Sequence, residues 1–294
     1  MEERVTVSVK DGVADVRMNR PDKINALDGP MFAGLVETGE RLKADSSVRV
    51  VVLSGEGRGF CAGLDFGSFQ AMAGDGDGGG AAARRDERSR DTASIGQTDG
   101  RITHLGQQAA WVWHEMPAPV IAAVHGVALG GGCQIALGAD IRYVAPDARL
   151  SVLEIRWGLI PDMTGTYMLS RLVGLDVAKE LTFTGRMVSG EEAGRIGLAT
   201  RVTAAPLDDA LELAGEIASK SPQAVRGAKR LLNQAPLTAA AEQFAAERQT
   251  IGSLIGSPNQ VEAVMAYFEK RDPVFADPDA GPTDVPTGAQ PDKG

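Results

Sequence analysis

Pro119-Val120-Ile121-Ala122-Ala123-Val124-His125-Gly126-Val127-Ala128-Leu129-Gly130-Gly131-Gly132-Cys133-Gln134 is the stretch on which the fold turns. From Val120 to Ala139 the chain is mostly apolar over twenty residues, about the length of a membrane span. Five glycines, three of them consecutive, together with His125 and Gln134, argue against a span. The run instead predicts a buried strand over Pro119–Val124, a tight turn, and a buried helix opening at Gly130-Gly131-Gly132 and ending near Leu137. A strand that is apolar at every position is buried on both faces, as in a parallel sheet covered by helices.

Working outward, the same pattern recurs. Val48–Leu53 is a second continuous apolar run rich in β-branched residues, and Asp140–Val144 is a third strand. Near the start, Val5–Val9 and Val13–Met18 alternate apolar with polar around Asp11-Gly12, a hairpin signal. Asp28 is placed to cap a helix from about Pro30 to Lys43, with Met31, Leu35 and Leu42 at helical spacing. Ile102 to His114 is helical, and from about Met163 the chain turns helical again. Ser189 followed by Glu191 and Glu192 reads as a cap with acids in the first turn. Leu207–Ser219, Pro222–Asn233, Leu237–Leu254 and Asn259–Lys270 are further predicted helices. Strands alternating with helices, then helices alone, predict an α/β core (1–200) and a helical C-terminal region (201–275). Residues 74–100 carry many glycines and charges and almost no large apolar side chain, so a mobile insertion is expected there. Residues 276–294 are polar and proline-rich, and a disordered tail is expected.

Composition narrows the function. The 294 residues carry a formal net charge of −9 with no basic run, which disfavours nucleic acid and anionic membranes as partners. Two cysteines, Cys61 and Cys133, cannot form a disulfide framework and fit a reducing compartment. The opening residues lack the basic start and apolar core of a secretory signal, so a cytoplasmic location is expected. His104, His114 and His125 have no metal-ligand spacing, and neither cysteine has a CxxC partner, so no metal site is predicted. GxxxxGK[ST] and GxSxG are absent, and Ile135 stands where the third glycine of GxGxxG would fall.

What remains is a pair of glycine-bearing bends, each just after a buried strand: Gly59-Phe60-Cys61-Ala62-Gly63-Leu64-Asp65, and Ala128 to Gln134. Glycines let a ligand approach the main chain and let peptide N–H groups point outward. Such groups at a helix start favour negative charge, and two that converge make an oxyanion hole. Each bend alone also reads as an ordinary strand-to-helix connection.

Taken together, the motifs resemble the crotonase (enoyl-CoA hydratase/isomerase) superfamily. The resemblance is carried by Asn19-Arg20-Pro21, Asn25-Ala26-Leu27, the two bends, Asp140-Ile141-Arg142 and Gly158-Leu159-Ile160-Pro161. Leu181-Thr182-Phe183-Thr184-Gly185 and Gly194-Arg195-Ile196-Gly197-Leu198 add to it, so the likeness runs from about residue 4 to about residue 275. It implies a spiral of ββα turns with a helical C-terminal region that packs on neighbouring copies in a homotrimer or homohexamer. It implies an acyl-CoA thioester substrate, coenzyme A being part of the substrate and no separate cofactor being needed. By motif position, the oxyanion hole would be the peptide N–H groups of Leu64 and Gly131. Lys23, Ile24, Ala26, Ala62, Asp65 and Phe66 would line the path of the coenzyme, with Lys23 either a phosphate contact or simply solvated.

Hydratases of this superfamily use two glutamates, one just after the second bend and one about twenty residues on. Here the first position is Gln134 and the second is Glu154. Glutamine can hydrogen-bond a water but cannot take its proton. A single carboxylate is enough for a double-bond shift, in which Glu154 removes a proton from C2 and returns it at C4. An ion pair of Glu154 with Arg149 or Arg156 is the structural alternative. Asp162 is a candidate second acid/base group, as in the dienoyl-CoA isomerase branch, although that branch has an aspartate where Gln134 stands. Alternatively, Asp162 or Thr164 caps the next helix. The expected activity is therefore enoyl- or dienoyl-CoA isomerisation by Glu154. A trans-2-enoyl-CoA hydratase with a Gln134-held water and a non-catalytic acyl-CoA-binding protein are the alternatives.

Overall fold

A computed structural model describes residues 3–65, 98, 101–238 and 240–278. Strand β1 (Val5–Lys10) and strand β2 (Val13–Met18) pair antiparallel from Val5↔Met18 to Lys10↔Val13. They turn through Asp11 and Gly12, both at positive φ, as a two-residue hairpin requires. Along β2, Ala14, Val16 and Met18 are buried. Helix α1 (Gly29–Ala44) follows. Asp28 caps it by accepting from the Met31 N–H at 2.9 Å, and Met31, Leu35 and Leu42 face the core.

Strand β3 (Val50–Gly55) joins β2 in parallel and is buried throughout. After helix α2 (Leu105–Glu115) come β4 (Val120–Val124), the short β5 (Val127–Leu129) and helix α3 (Gly131–Leu137). The chain continues through β6 (Ile141–Val144) and β7 (Arg149–Ser151), then a 3-10 turn at Glu154–Trp157. Helices α4 (Gly165–Val173) and α5 (Leu175–Thr184) lead to β8 (Val188–Ser189), α6 (Gly190–Arg195) and β9 (Arg201–Val202). Helices α7 (Pro206–Ala218), α8 (Pro222–Gln234), α9 (Ala240–Leu254) and α10 (Pro258–Glu269) end the described chain.

The first sheet has the order β1-β2-β3-β4-β6-β9, the second β5-β7-β8. Isolated bridges Leu27↔Leu64 and Cys61↔Ala128 extend the second layer toward the N-terminus. Each turn of the chain thus lays one strand in the first sheet and a shorter extended piece in the second, then crosses by a helix. This is the expected α/β spiral of ββα turns. The two-faced burial of β3 and β4 has a direct cause. Val51, Leu53, Val120 and Ala122 face the main core, while Val50, Val52, Ile121 and Ala123 face Ala210, Ala214 and Ala218 of α7.

Helix α8 is fastened by a buried cation. Lys229 Nζ lies 2.7 Å from Asp140 Oδ2 and donates to the carbonyls of Trp113 and Ala118. Burial pulls the Lys229 pKa down, and the Asp140 carboxylate opposes that shift.

Several expectations are corrected. Helix α2 begins at Leu105 rather than Ile102, because the His104 side chain accepts from the Gln107 N–H as a cap. Helix α9 begins at Ala240, after a 3-10 turn at Ala235–Leu237. The chain is tied down past residue 275: Ala276 exchanges hydrogen bonds with the Asn259 side chain, and Asp277 pairs with Arg49 at 2.8 Å. None of the short strands of the second sheet was placed individually from the sequence. The expected insertion at 74–100, apart from Thr98, and the tail from 279 lie outside the described residues, as does Phe66.

Candidate active site

The site rests on a fully buried asparagine. Asn25 Oδ1 accepts from the Arg20 N–H at 2.8 Å, and its Nδ2 donates to the carbonyls of Glu56, Gly59 and Phe60. Ile24 and Asn25 both adopt left-handed backbone conformations, with φ of 50° and 55°. That is uncommon for asparagine and costly for a β-branched isoleucine, so the surrounding hydrogen bonds must hold it. They bind the loop before α1 to the first bend. Sequence reasoning placed Asn25 in a motif but gave it no role.

The two bends meet. Cys61 N–H donates to Val127 O at 2.9 Å, and Leu129 N–H donates back to Cys61 O at 3.0 Å. Gly63 has φ of +89°, and a Cβ there would lie 2.6 Å from Leu129 O. A Cβ on Gly132 would lie 2.6 Å from Cys61 O. Only glycine lets the main chains approach this closely.

The free N–H groups follow from the pairing. Leu27 N–H donates to Gly63 O and Leu27 O accepts from Asp65 N–H, so the bonds of that bridge bypass Leu64. The Leu64 N–H therefore points away from Leu27. Gly130 N–H is taken by Ser151 O at 2.8 Å, and Gly131 begins α3 with an N–H that has no intrahelical partner. Among the described residues, neither Leu64 nor Gly131 donates a hydrogen bond. Leu27 and Met163 press on the second bend: a Cβ on Gly131 would lie 2.8 Å from Leu27 Cδ1 and from Met163 Sδ.

Glu154 lies beside this junction. A Cβ on Gly130 would sit 3.3 Å from Glu154 Oε1. That oxygen accepts from Gln134 Nε2 at 2.6 Å, while Oε2 is buried without a partner. No ion pair of Glu154 with Arg149, Arg156 or any other described residue forms. Burial pushes its pKa up and the charge of Asp162 adds to that, against hydrogen bonds from its own backbone and from Gln134.

Gln134 is fully buried and its carbonyl oxygen is occupied twice, by the N–H groups of Met163 at 2.8 Å and Gly165 at 2.9 Å. Met163 lies in the turn just before α4, and Gly165 is its first residue. The expected cap by Asp162 or Thr164 is thus replaced: Thr164 stands at the N-cap position with φ of +68° and makes no side-chain cap. Asp162 is exposed in the turn between Glu154 and α4.

The predicted coenzyme-path residues cluster around the first bend. Lys23 is exposed, Ala26 N–H donates to Lys23 O, and Ala62 N–H donates to Ile24 O. Asp65 does not stand alone: Arg20 pairs with it at 2.7 Å and donates also to Ala26 O. The Arg20–Asp65 pair and the Met163 contact were missed because their partners are distant in sequence. Among the described residues, no group of three or more His, Cys, Asp or Glu side chains is placed to hold a metal, and no helix is long and apolar enough to cross a membrane.

Comparison with known proteins agrees with this architecture. A family model described as enoyl-CoA hydratase/isomerase matches residues 13–278. The chain belongs to the enoyl-CoA hydratase/isomerase family. It is 33% identical over 276 residues to a short-chain-enoyl-CoA hydratase of Clostridium acetobutylicum, covering 92% of this chain and 97% of that one. It is 30% identical over 272 residues to a crotonyl-CoA hydratase of Syntrophomonas wolfei, covering 92% and 96%. Among solved structures, an enoyl-CoA hydratase from Bacillus anthracis superposes with a TM-score of 0.79 at 29% identity, covering 92% of this chain and 98% of that one. Membership of the enoyl-CoA hydratase/isomerase family, and with it of the crotonase superfamily, therefore stands on sequence and fold together.

Proposed function

We propose that this protein isomerises the double bond of an enoyl- or dienoyl-CoA thioester, with Glu154 as the proton carrier. The thioester oxygen would sit between the N–H groups of Leu64 and Gly131. Glu154 removes a proton from C2, and the electron pair moves into the C1–C2 bond as the thioester oxygen takes negative charge. For a 3-enoyl ester the same carboxyl then returns the proton at C4, and the double bond moves from C3–C4 to C2–C3; for a 3,5-dienoyl ester the proton is returned at C6, and the double bonds move to C2–C3 and C4–C5. Each preorganised donor to the developing oxyanion is worth about 3 kcal/mol of barrier. The raised pKa of Glu154 brings it closer to working pH, which suits a group that must both take and give a proton.

One observation carries the choice of reaction. The position that would supply a second carboxylate is an amide whose oxygen is already filled by two backbone donors. Water addition needs one group to take the proton of water and another to deliver one. Gln134 does neither and has one spare Nε2 hydrogen, which orients a water without activating it. Asp162 is the candidate partner for dienoyl substrates, since its charge reaches Glu154.

The names of the similar proteins favour a second reading, hydration of trans-2-enoyl-CoA by Glu154 with a water on Gln134. Parallel assay of 2-enoyl, 3-enoyl and 3,5-dienoyl thioesters separates the two. The isomerase reading expects turnover of 3-enoyl or 3,5-dienoyl esters to dominate and to be lost in Glu154→Gln. Fast hydration alone supports the second reading, and binding without turnover of any ester supports an acyl-CoA-binding protein. The same reading takes Lys23, Ile24, Ala26, Ala62 and Asp65 as the near wall of the coenzyme path. It assigns the exposed apolar side chains of α8–α10, among them Leu232, Phe244, Ile251 and Phe268, to contacts within a cytoplasmic homotrimer or homohexamer.

A further inference from the structure

Gln134 joins two features that are otherwise far apart in the chain. Its oxygen receives the amide of Met163, in the turn before α4, and that of Gly165, the first residue of α4, 29 and 31 residues downstream, and its nitrogen donates to Glu154, 20 residues downstream. The orientation of the amide is therefore forced. Turned over, its NH2 would face two N–H donors and its oxygen would face a carboxylate. We propose that Gln134 is a positioning residue that fixes Glu154 beside the second bend and, because it does not titrate, leaves Glu154 with no carboxylate to share its proton. The inference rests on Glu154 being the proton carrier.

The surroundings allow little else to do this. The titratable groups whose charge couples to Glu154 are Asp162, from the turn before α4, and the Cys133 thiol of α3. Cys133 is fully buried, and burial pushes its pKa up to about 12, so it stays neutral. Helix α5 packs on the same turn and adds no charge to that list. Asp162 raises the Glu154 pKa and makes no hydrogen bond to it. Gln134 Nε2 donates to Glu154 Oε1, and Oε2 has no hydrogen-bond partner among the described residues.

A glutamate at 134 would change the titration without changing the shape. One carboxylate oxygen would keep the Met163 and Gly165 donors. The other would face Glu154 Oε1 at hydrogen-bond distance, and two carboxylates that close share one proton. Two backbone N–H donors at a helix start favour ionisation at 134, so the shared proton would lie on Glu154. The base would be lost until higher pH.

The test uses full-length Gln134→Glu, Gln134→Met and Glu154→Gln. The Glu154 carboxyl is titrated by 13C NMR on glutamate-labelled protein, assigned by its absence in Glu154→Gln. This readout needs no turnover. The expected result is that Gln134→Glu melts with the wild type while the Glu154 midpoint rises by a unit or more. At the wild-type midpoint, kcat for isomerisation should then fall about fivefold or more, with KM little changed. Gln134→Met, which leaves the α4 amides without an acceptor, should melt lower. An unmoved midpoint in Gln134→Glu overturns the proposal, as does a melting loss in that variant equal to the loss in Gln134→Met. Full isomerase activity in Glu154→Gln sinks the proton-carrier reading itself. An inactive Glu154→Gln beside an unmoved Gln134→Glu midpoint sinks only the role given to Gln134.

Discussion

Replacing Asn25 by alanine should damage stability and turnover together, because one side chain holds the loop before α1 to the first bend. The substitution removes an acceptor for the Arg20 N–H and donors to the carbonyls of Glu56, Gly59 and Phe60. Each neutral bond is worth about 1 kcal/mol net, and a buried donor left without a partner costs about 1–3 kcal/mol. Alanine at a φ of 55° adds about 1 kcal/mol relative to asparagine, which tolerates the left-handed region. Solvent cannot repair the loss cheaply, since the site is fully buried. The expected destabilisation is about 3–5 kcal/mol, or roughly 10 °C in Tm for a chain of this size. The first bend should also shift relative to the second, moving the Leu64 N–H, so kcat should fall more than KM rises. Differential scanning calorimetry and steady-state kinetics at a temperature where both proteins are folded would measure the two effects. A variant that melts within about 2 °C of the parent, or that keeps its kcat, would refute the argument that Asn25 sets the geometry of the bends.

Other perturbations separate chemistry from packing. Glu154→Gln should lower isomerase kcat by about a hundredfold or more without loss of stability at neutral pH. The sign follows from linkage. The folded-state pKa lies above the unfolded value, so the folded protein holds the proton more tightly, and stability falls as pH rises from the ordinary carboxylate range through the raised pKa. Glu154→Gln should flatten that part of the pH–stability curve, and an unchanged curve would contradict the raised pKa. Gly63→Ala should both destabilise and inactivate, because its φ of +89° is strained for alanine and its Cβ would meet the Leu129 carbonyl oxygen at 2.6 Å. Gly131→Ala meets only side-chain ends, Leu27 Cδ1 and Met163 Sδ, so it should fold with a smaller Tm loss yet lose activity as the second donor moves. Equal melting losses for the two glycine variants would count against this ranking. Gln134→Glu should raise hydration of trans-2-enoyl-CoA relative to isomerisation, since a proton-sharing pair offers one acid and one base. An unchanged ratio in the product assay would argue for the hydratase reading.

The parts of the fold that showed in the sequence are those where one local pattern reports one burial environment. Strand β4, and β3 as far as Leu53, are apolar at every position because α7 covers one face and the main core covers the other. Helix α1 showed itself through Asp28 and the spacing of Met31, Leu35 and Leu42. The second sheet did not show, because β5, β7 and β8 have two or three residues each and their pairing joins distant segments. No periodicity can be read from so few positions. The start of α2 was misplaced because an imidazole caps it, where Ser, Thr, Asp or Asn is the usual signal. The hold on the last described residues was hidden in the same way: Asn259 and Arg49 reach Ala276 and Asp277 from elements well removed in the chain.

The site divides along the same line. Glycines at 63 and 132 announce close main-chain approach, because a Cβ at either would lie 2.6 Å from a backbone carbonyl oxygen, while Gly130 leaves room for the Glu154 carboxyl group. Gln134 announces only that it cannot accept a proton from water. Its packing adds what composition cannot: the amide oxygen is the helix cap that Asp162 and Thr164 do not provide. A carboxylate at 134 would serve α4 equally well, since capping needs only an acceptor. The helix therefore does not require glutamine at this position. In the proposed isomerase it is Glu154, 2.6 Å away, that favours glutamine, because its oxygen then faces a donor that never becomes a second negative charge. On that proposal the residue type at 134 follows from the ionisation of its neighbour and not from the fold.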